Sequence, residues 1–135
     1  DADADTTISA DTDDQIDFKA GGTDIMSLTA TTVAINDNTT ITTDDNTDTL
    51  SLISTDADAN VGPVLRLYRN SASAVDNDVI GNLIFSGNDT AGNETDYLTF
   101  QVNAGDADDG QEDGFMRILM PVASTSTEFV RFSPA

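Results

Sequence analysis

Residues 1–55 carry only 12 large apolar side chains (Ile, Leu, Val, Met, Phe or Tyr), spread thinly among Thr and Asp. Ordering a residue's backbone costs roughly 1–2 kcal/mol, and so sparse an apolar set cannot offset that cost with a private core. This stretch therefore either stays disordered or shares its core with other copies of itself. Residues 61–135 carry 24 such side chains, enough for a small compact module. The contrast predicts two parts: a β-rich shaft segment over residues 1–58 and a β-sandwich-like module over residues 59–135.

Alternation of apolar and polar residues predicts strands in both parts. Ile16 and Phe18 share a face, with Asp17 and Lys19 opposite; Met26 and Leu28 share another. Leu65 and Leu67 alternate with Arg66, and Leu98, Phe100 and Val102 alternate with Thr99 and Gln101. Met116 and Ile118 flank Arg117, and Val130 and Phe132 flank Arg131. Leu65, Leu67, Ile84, Phe100, Ile118 and Phe132 are expected in one sheet-on-sheet core. Turns are predicted at Ala20-Gly21-Gly22-Thr23, 44–48, 56–62, 76–78, 87–95 and 105–114, where Gly, Asp and Asn cluster. A weak repeat links Thr6-Thr7-Ile8-Ser9-Ala10-Asp11 with Thr39-Thr40-Ile41-Thr42-Thr43-Asp44, and then Ile16/Phe18 with Leu50/Leu52. Repeats that cannot bury a face alone stack or oligomerise. No stretch shows a capped helical period, so the expected class is all-β, with eight to ten strands.

The charge narrows the function classes. The 135 residues include 25 acidic and 5 basic side chains, for a net charge of −20. Twenty-two of the acids are Asp, a turn former and a poor helix former. Nucleic-acid binding rests on Lys and Arg neutralising phosphates, and Lys19, Arg66, Arg69, Arg117 and Arg131 form no run. No nucleic-acid partner and no membrane insertion are expected, because no apolar run approaches a membrane span. Salt screens self-repulsion of this size, so the composition suits a marine or saline setting. The start, Asp1-Ala2-Asp3-Ala4-Asp5, lacks an initiator Met and reads as a piece of something longer.

Candidate chemistry is sparse. The chain has no Cys and no His, so thiolate metal sites, nucleophilic triads and disulfides are ruled out. Close carboxylate pairs are unavoidable with 25 acids, so they do not point to acid–base hydrolysis. No enzyme activity is expected. Asp106, Asp108, Asp109, Glu112 and Asp113, interspersed with Gly105, Gly110 and Gly114, form the densest acidic cluster. Hard cations such as Ca²⁺ take several oxygens from a flexible loop, which makes this a weak Ca²⁺ candidate. The spacing does not fit the EF-hand pattern, and a solvated turn between two strands is the favoured reading. The clusters Asp11-Asp13-Asp14 and Asp44-Asp45-Asp48 rank below it. Arg66 and Arg69 beside Tyr68 are candidates for an anion, against the plainer reading as partners for surplus carboxylates. Asn38, Asn88 and Asn93 head Asn-x-Thr glycosylation patterns, as expected by chance in a Thr-rich chain.

Several of these phrases together resemble virion structural proteins of marine tailed phages, of the tail-fibre kind. In the first part the resemblance rests on Asp17-Phe18-Lys19-Ala20-Gly21-Gly22-Thr23 followed by Met26-Ser27-Leu28. In the second it rests on Gly62-Pro63-Val64-Leu65-Arg66-Leu67-Tyr68-Arg69, Asp78-Val79-Ile80-Gly81 and Asp109-Gly110-Gln111-Glu112-Asp113-Gly114. It implies a homotrimeric fibre: a slender intertwined trimeric shaft followed by the small module, located on the virion tail. The implied partners are itself, other virion tail proteins and a host surface glycan. No cofactor and no catalytic residue carry over. Ile16, Phe18, Met26 and Leu28 are the expected trimer core. The rival expectations are a self-assembling extracellular filament subunit, a carbohydrate-binding module using Tyr68 or Tyr97 as stacking platforms, and a depolymerase fragment.

Overall fold

The computed structural model of the chain describes residues 6–10 and 14–134. The described residues hold eight strands and no helix: β1 (Thr7–Ser9), β2 (Ile16–Ala20), β3 (Thr23–Leu28), β4 (Val33–Ile35), β5 (Val79–Asn88), β6 (Glu94–Asp106), β7 (Asp113–Val122) and β8 (Thr125–Phe132). They form two antiparallel four-stranded meanders, in the order β1-β2-β3-β4 and β5-β6-β7-β8. The class is therefore all-β, as the alternation and the scarcity of Glu-rich periodic stretches predict. The chain divides into two units, residues 1–62 and 63–135.

In the first unit, Gly21 and Gly22 turn the chain between β2 and β3 at positive φ (58° and 73°). Left-handed backbone costs a side-chain-bearing residue energy that Gly avoids. A bulge then shifts the register between Phe18 and Lys19, which sets Lys19 opposite Asp24 with Nζ 2.6 Å from Oδ1.

In the second unit the long hairpins turn on Asp and Gly. Asp89 Oδ1 accepts the amides of Ala91 (2.8 Å) and Asn93 (2.9 Å), closing the β5–β6 hairpin over Gly92 at φ 85°. Asp106 Oδ1 accepts the Asp108 amide (2.9 Å), and Gly110 at φ 81° completes the β6–β7 connection. The β7–β8 turn is made by Ala123 (φ 49°) and Ser124 (φ 67°), two left-handed residues that bear side chains.

Three expectations are corrected. The second unit holds one sheet among its described residues, not two packed layers, because its four strands are used up in a single meander of short connections. Leu65 and Leu67 lie outside any strand and are 66% and 54% exposed. Ile84 and Phe132 are also exposed (45% and 58%), while Phe100 and Ile118 are half-buried. The predicted sheet-on-sheet core is thus absent from the single chain: no apolar residue falls in the buried class among the described residues. The segment between the sheets, residues 36–78, has no strand, and no backbone–backbone hydrogen bond involves residues 37–74.

Candidate functional site

Residues directly opposite one another in an antiparallel ladder share a face of the sheet, so the register assigns each side chain to a side. In the first sheet Ile8 faces Phe18, Phe18 faces Met26, and Met26 faces Ile35. Ile16 faces Leu28, which faces Val33. One face is therefore wholly apolar across all four strands. It carries the four residues expected as a trimer core, Ile16, Phe18, Met26 and Leu28, side by side. The face is uncovered: Ile8 is 72% and Val33 62% exposed, and Phe18, Met26 and Leu28 are only half-buried.

The opposite face runs Ser9, Asp17, Ser27 and Ala34 across the same strands. Asp17, which alternation alone assigns to solvent, is instead buried at 3% exposure. Its Oδ1 accepts Ser27 Oγ (2.7 Å) and Gln15 Nε2 (2.7 Å). The hydroxyl of Ser27, then the amide of Gln15, hold its carboxyl below the usual carboxylate range. The only sequence signal for this arrangement is an Asp in the middle of a strand, aligned with a Ser ten residues on.

The second sheet repeats the design at larger scale. Leu83, Phe100, Ile118 and Val130 face one another in turn across β5, β6, β7 and β8. Val102, Met116 and Phe132 form the adjacent row, opposite Gly81. Phe85 joins this face opposite Leu98 and meets Phe100 edge-on, with ring centroids 6.3 Å apart. This face is also uncovered: Leu83, Phe85 and Phe132 are each more than half exposed.

The other face of this sheet is mixed, with Ile84, Leu119 and Phe115 set among polar and charged residues. Asn82, Gln101, Arg117 and Arg131 lie in one row. Arg117 donates to Gln101, and Glu128 accepts Arg131 Nε (3.1 Å) and lies 3.5 Å from Arg117 Nη1. The Arg131 guanidinium sits 4.4 Å from the centre of the Phe115 ring and holds the Glu128 carboxyl below its usual range. Ions already neutralised within one face need no partner from outside. Asn103, only 3% exposed, pins the turn before β5 through Nδ2 to the Asn77 carbonyl (3.1 Å), and its Oδ1 has no hydrogen-bond partner among the described residues.

The remaining candidates separate. Asp106, Asp108, Asp109, Glu112 and Asp113 lie on or beside the β6–β7 turn, and no group of three acidic residues arranged to hold a metal occurs among the described residues. The Glu112 carboxyl is held low by its own backbone N–H and then that of Gly110, as in a self-capped turn. Arg69 pairs with Asp78 (3.1 Å) and donates Nη1 to the Val79 carbonyl (2.9 Å). Arg66 stacks on Tyr68, with Cζ 4.9 Å from the ring centre. Of the lower-ranked clusters, Asp11 and Asp13 lie outside the described residues, while Asp45 caps Thr47 within its own turn. No family model, curated protein or solved structure matches this chain.

Proposed function

We propose that the chain is a non-catalytic structural segment of an extracellular phage tail fibre, acting as a homotrimer that extends or presents a host-adhesion apparatus. One observation carries the assembly part of this reading: both sheets have a continuous apolar face, and no apolar residue of either falls in the buried class. Burial of apolar surface is the main favourable term in folding, at about 25 cal/mol per Å². A chain that leaves its apolar faces bare has not completed its fold.

The area supports the same conclusion. The chain exposes 10778 Å², where a compact monomer of 14.2 kDa exposes about 6,800 Å². Two separately compact units of half that mass would together expose about 8,200 Å², so the excess does not depend on how the units are placed. The difference, about 2,600 Å² per copy, lies in the range that obligate assemblies bury. In a closed threefold assembly each apolar face meets copies of itself. The first unit then supplies the slender shared-core shaft, and neighbouring copies supply the second layer that the module lacks. The fibre and virion-tail part of the reading rests on the resemblance of the strand-and-turn phrases. Other tail proteins and a host surface glycan are its outside partners.

Sedimentation equilibrium tests the reading. The expected mass is about 43 kDa, three times the 14.2 kDa chain. A folded 14.2 kDa monomer overturns it, and mass growing without limit with concentration replaces the trimer with an open filament.

A further inference from the structure

Residues 64–68 lie outside any strand and leave most of their apolar side-chain surface exposed. Val64, Leu65, Leu67 and Tyr68 are 66%, 66%, 54% and 67% exposed. No backbone–backbone hydrogen bond involves these residues. Yet the stretch is held beside the second sheet. Arg69 anchors its end to the Val79 carbonyl and Asp78, and Leu67 lies against Gly81, where an added Cβ would stand 3.4 Å from Leu67 Cδ1. Leu67 thereby forms one wall of an apolar groove of about 190 Å³, whose floor includes Leu83, Phe100 and Val102. The groove opens on the uncovered face of the sheet.

We propose that residues 64–68 of one copy dock head-to-tail in this groove on the next copy, making the inter-copy seam of the second unit. The inference rests on the homotrimer reading and names its contact. Three observations fit a second copy as the occupant. Each copy carries both halves of the contact, an apolar groove and an alternating apolar stretch with free backbone groups, as a head-to-tail interface that closes into a ring requires. Each copy also carries excess surface of the size an assembly buries. The third observation is charge. Lys19, Arg69, Arg117 and Arg131 are all ion-paired within the chain. Arg66 alone has no carboxylate partner among the described residues, and its place in the stretch calls for an acidic neighbour. Each copy carries 25 acidic against 5 basic side chains, so a second copy has carboxylates left over to serve as that neighbour.

Hydrogen–deuterium exchange of the full chain, read at peptide resolution alongside its mass in solution, tests the seam. The amides of residues 64–68 are expected to exchange at least about a hundredfold more slowly in the assembled protein than in the unfolded chain. Arg66→Glu is expected to weaken assembly about tenfold or more, and Arg66→Lys to retain most of it. A trimer in which residues 64–68 exchange at unfolded rates overturns the seam and leaves the homotrimer standing. A monomer overturns both. Assembly unchanged by Arg66→Glu overturns the ionic contact.

Discussion

Residues 6–35 and residues 37–74 share a weak repeat and reach opposite outcomes. Thr7-Ile8-Ser9 and Ile16-Asp17-Phe18 become hydrogen-bonded strands of the first sheet. Their repeat partners, Thr40-Ile41-Thr42 and Leu50-Ser51-Leu52, lie in a segment with no strand at all. β-branched residues and alternation suit a pleated surface, but a strand forms only where another edge satisfies its backbone. The first copy of the phrase has the Gly21-Gly22 turn, which folds β3 back onto β2. The second copy is followed by Asp45 and Asp58 side chains that cap their own local turns, and no hairpin returns to it. Sequence pattern sets which residues are able to form strands; the availability of an edge decides which do. In the proposed trimer, residues 64–68 of this segment find that edge on a neighbouring copy.

The largest expected effects test the apolar faces. Phe18→Ala is expected to cost about 3–5 kcal/mol per copy, the loss seen when a buried Phe is truncated, measured by chemical denaturation of the assembled protein. In a lone chain, where Phe18 is only half-buried, the loss would fall well short of that. Ile8→Ala and Ile41→Ala sharpen the comparison, because the two residues hold matching positions in the repeat. Equal losses would show that the second phrase is packed as well as the first once assembled. A loss at Ile8 alone would confine the core to the first sheet.

A smaller effect is expected at the β7–β8 turn. Ala123 and Ser124 both sit at positive φ, where a two-residue hairpin favours Asn-Gly. Replacing them by Ala123→Asn with Ser124→Gly is expected to stabilise the protein by about 1–2 kcal/mol, read as a raised denaturation midpoint.

Acid separates hydrogen-bonded carboxylates by location. The side chain of Asn93 and then the amides around it hold the Asp89 carboxyl below its ordinary value of 3.8. A carboxylate with a lowered folded pKa adds stability above its unfolded pKa and loses it as pH falls through the folded value. Stability from the β5–β6 hairpin is therefore expected to decline below about pH 4, and Asp89→Ala to flatten that decline. Asp45, also held low by Thr47, sits in the unpaired segment, and Asp45→Ala is expected to change the profile less.

The smallest effect concerns ions. Net charge reaches −60 in a trimer of chains at −20 each, so salt is expected to stabilise by screening over a Debye length of about 10 Å at 0.1 M. Ca²⁺ and Mg²⁺ at equal ionic strength are expected to shift the melting temperature alike. A large Ca²⁺-specific shift, abolished by Asp109→Ala, would instead make the β6–β7 turn a binding site.

Much of this molecule was legible in sequence because its turns carry explicit chemistry. Gly21-Gly22, the Asp89 hairpin and the Asp106–Gly114 connection all fall where Gly, Asp and Asn cluster. Alternation also paired Ile16 with Phe18 and Met26 with Leu28, and the β2–β3 register brings the two pairs onto one face. Less legible were features decided by partners distant in sequence. The three-residue β4, Val33–Ile35, is too short to show a period, and its place comes from pairing with β3. The Ala123-Ser124 turn carries no residue that prefers positive φ. Asp17 and Asn103 look like solvent-facing polar positions, and become buried only through hydrogen bonds supplied by Ser27, Gln15 and Asn77. Leu65 and Leu67 alternate as well as any strand does, yet alternation does not reveal that the edge they need is missing from their own chain.

If folding is completed between chains, the concentration dependence of thermal unfolding shows it most directly. When only the assembled chain is folded, mass action makes the melting temperature rise with protein concentration. Melts followed by circular dichroism over a hundredfold concentration range, about as wide as such linkage requires, are predicted to shift upward steadily, with strand signal and assembled mass lost together. A melting temperature independent of concentration, in a protein sedimenting at 14.2 kDa, would contradict the account.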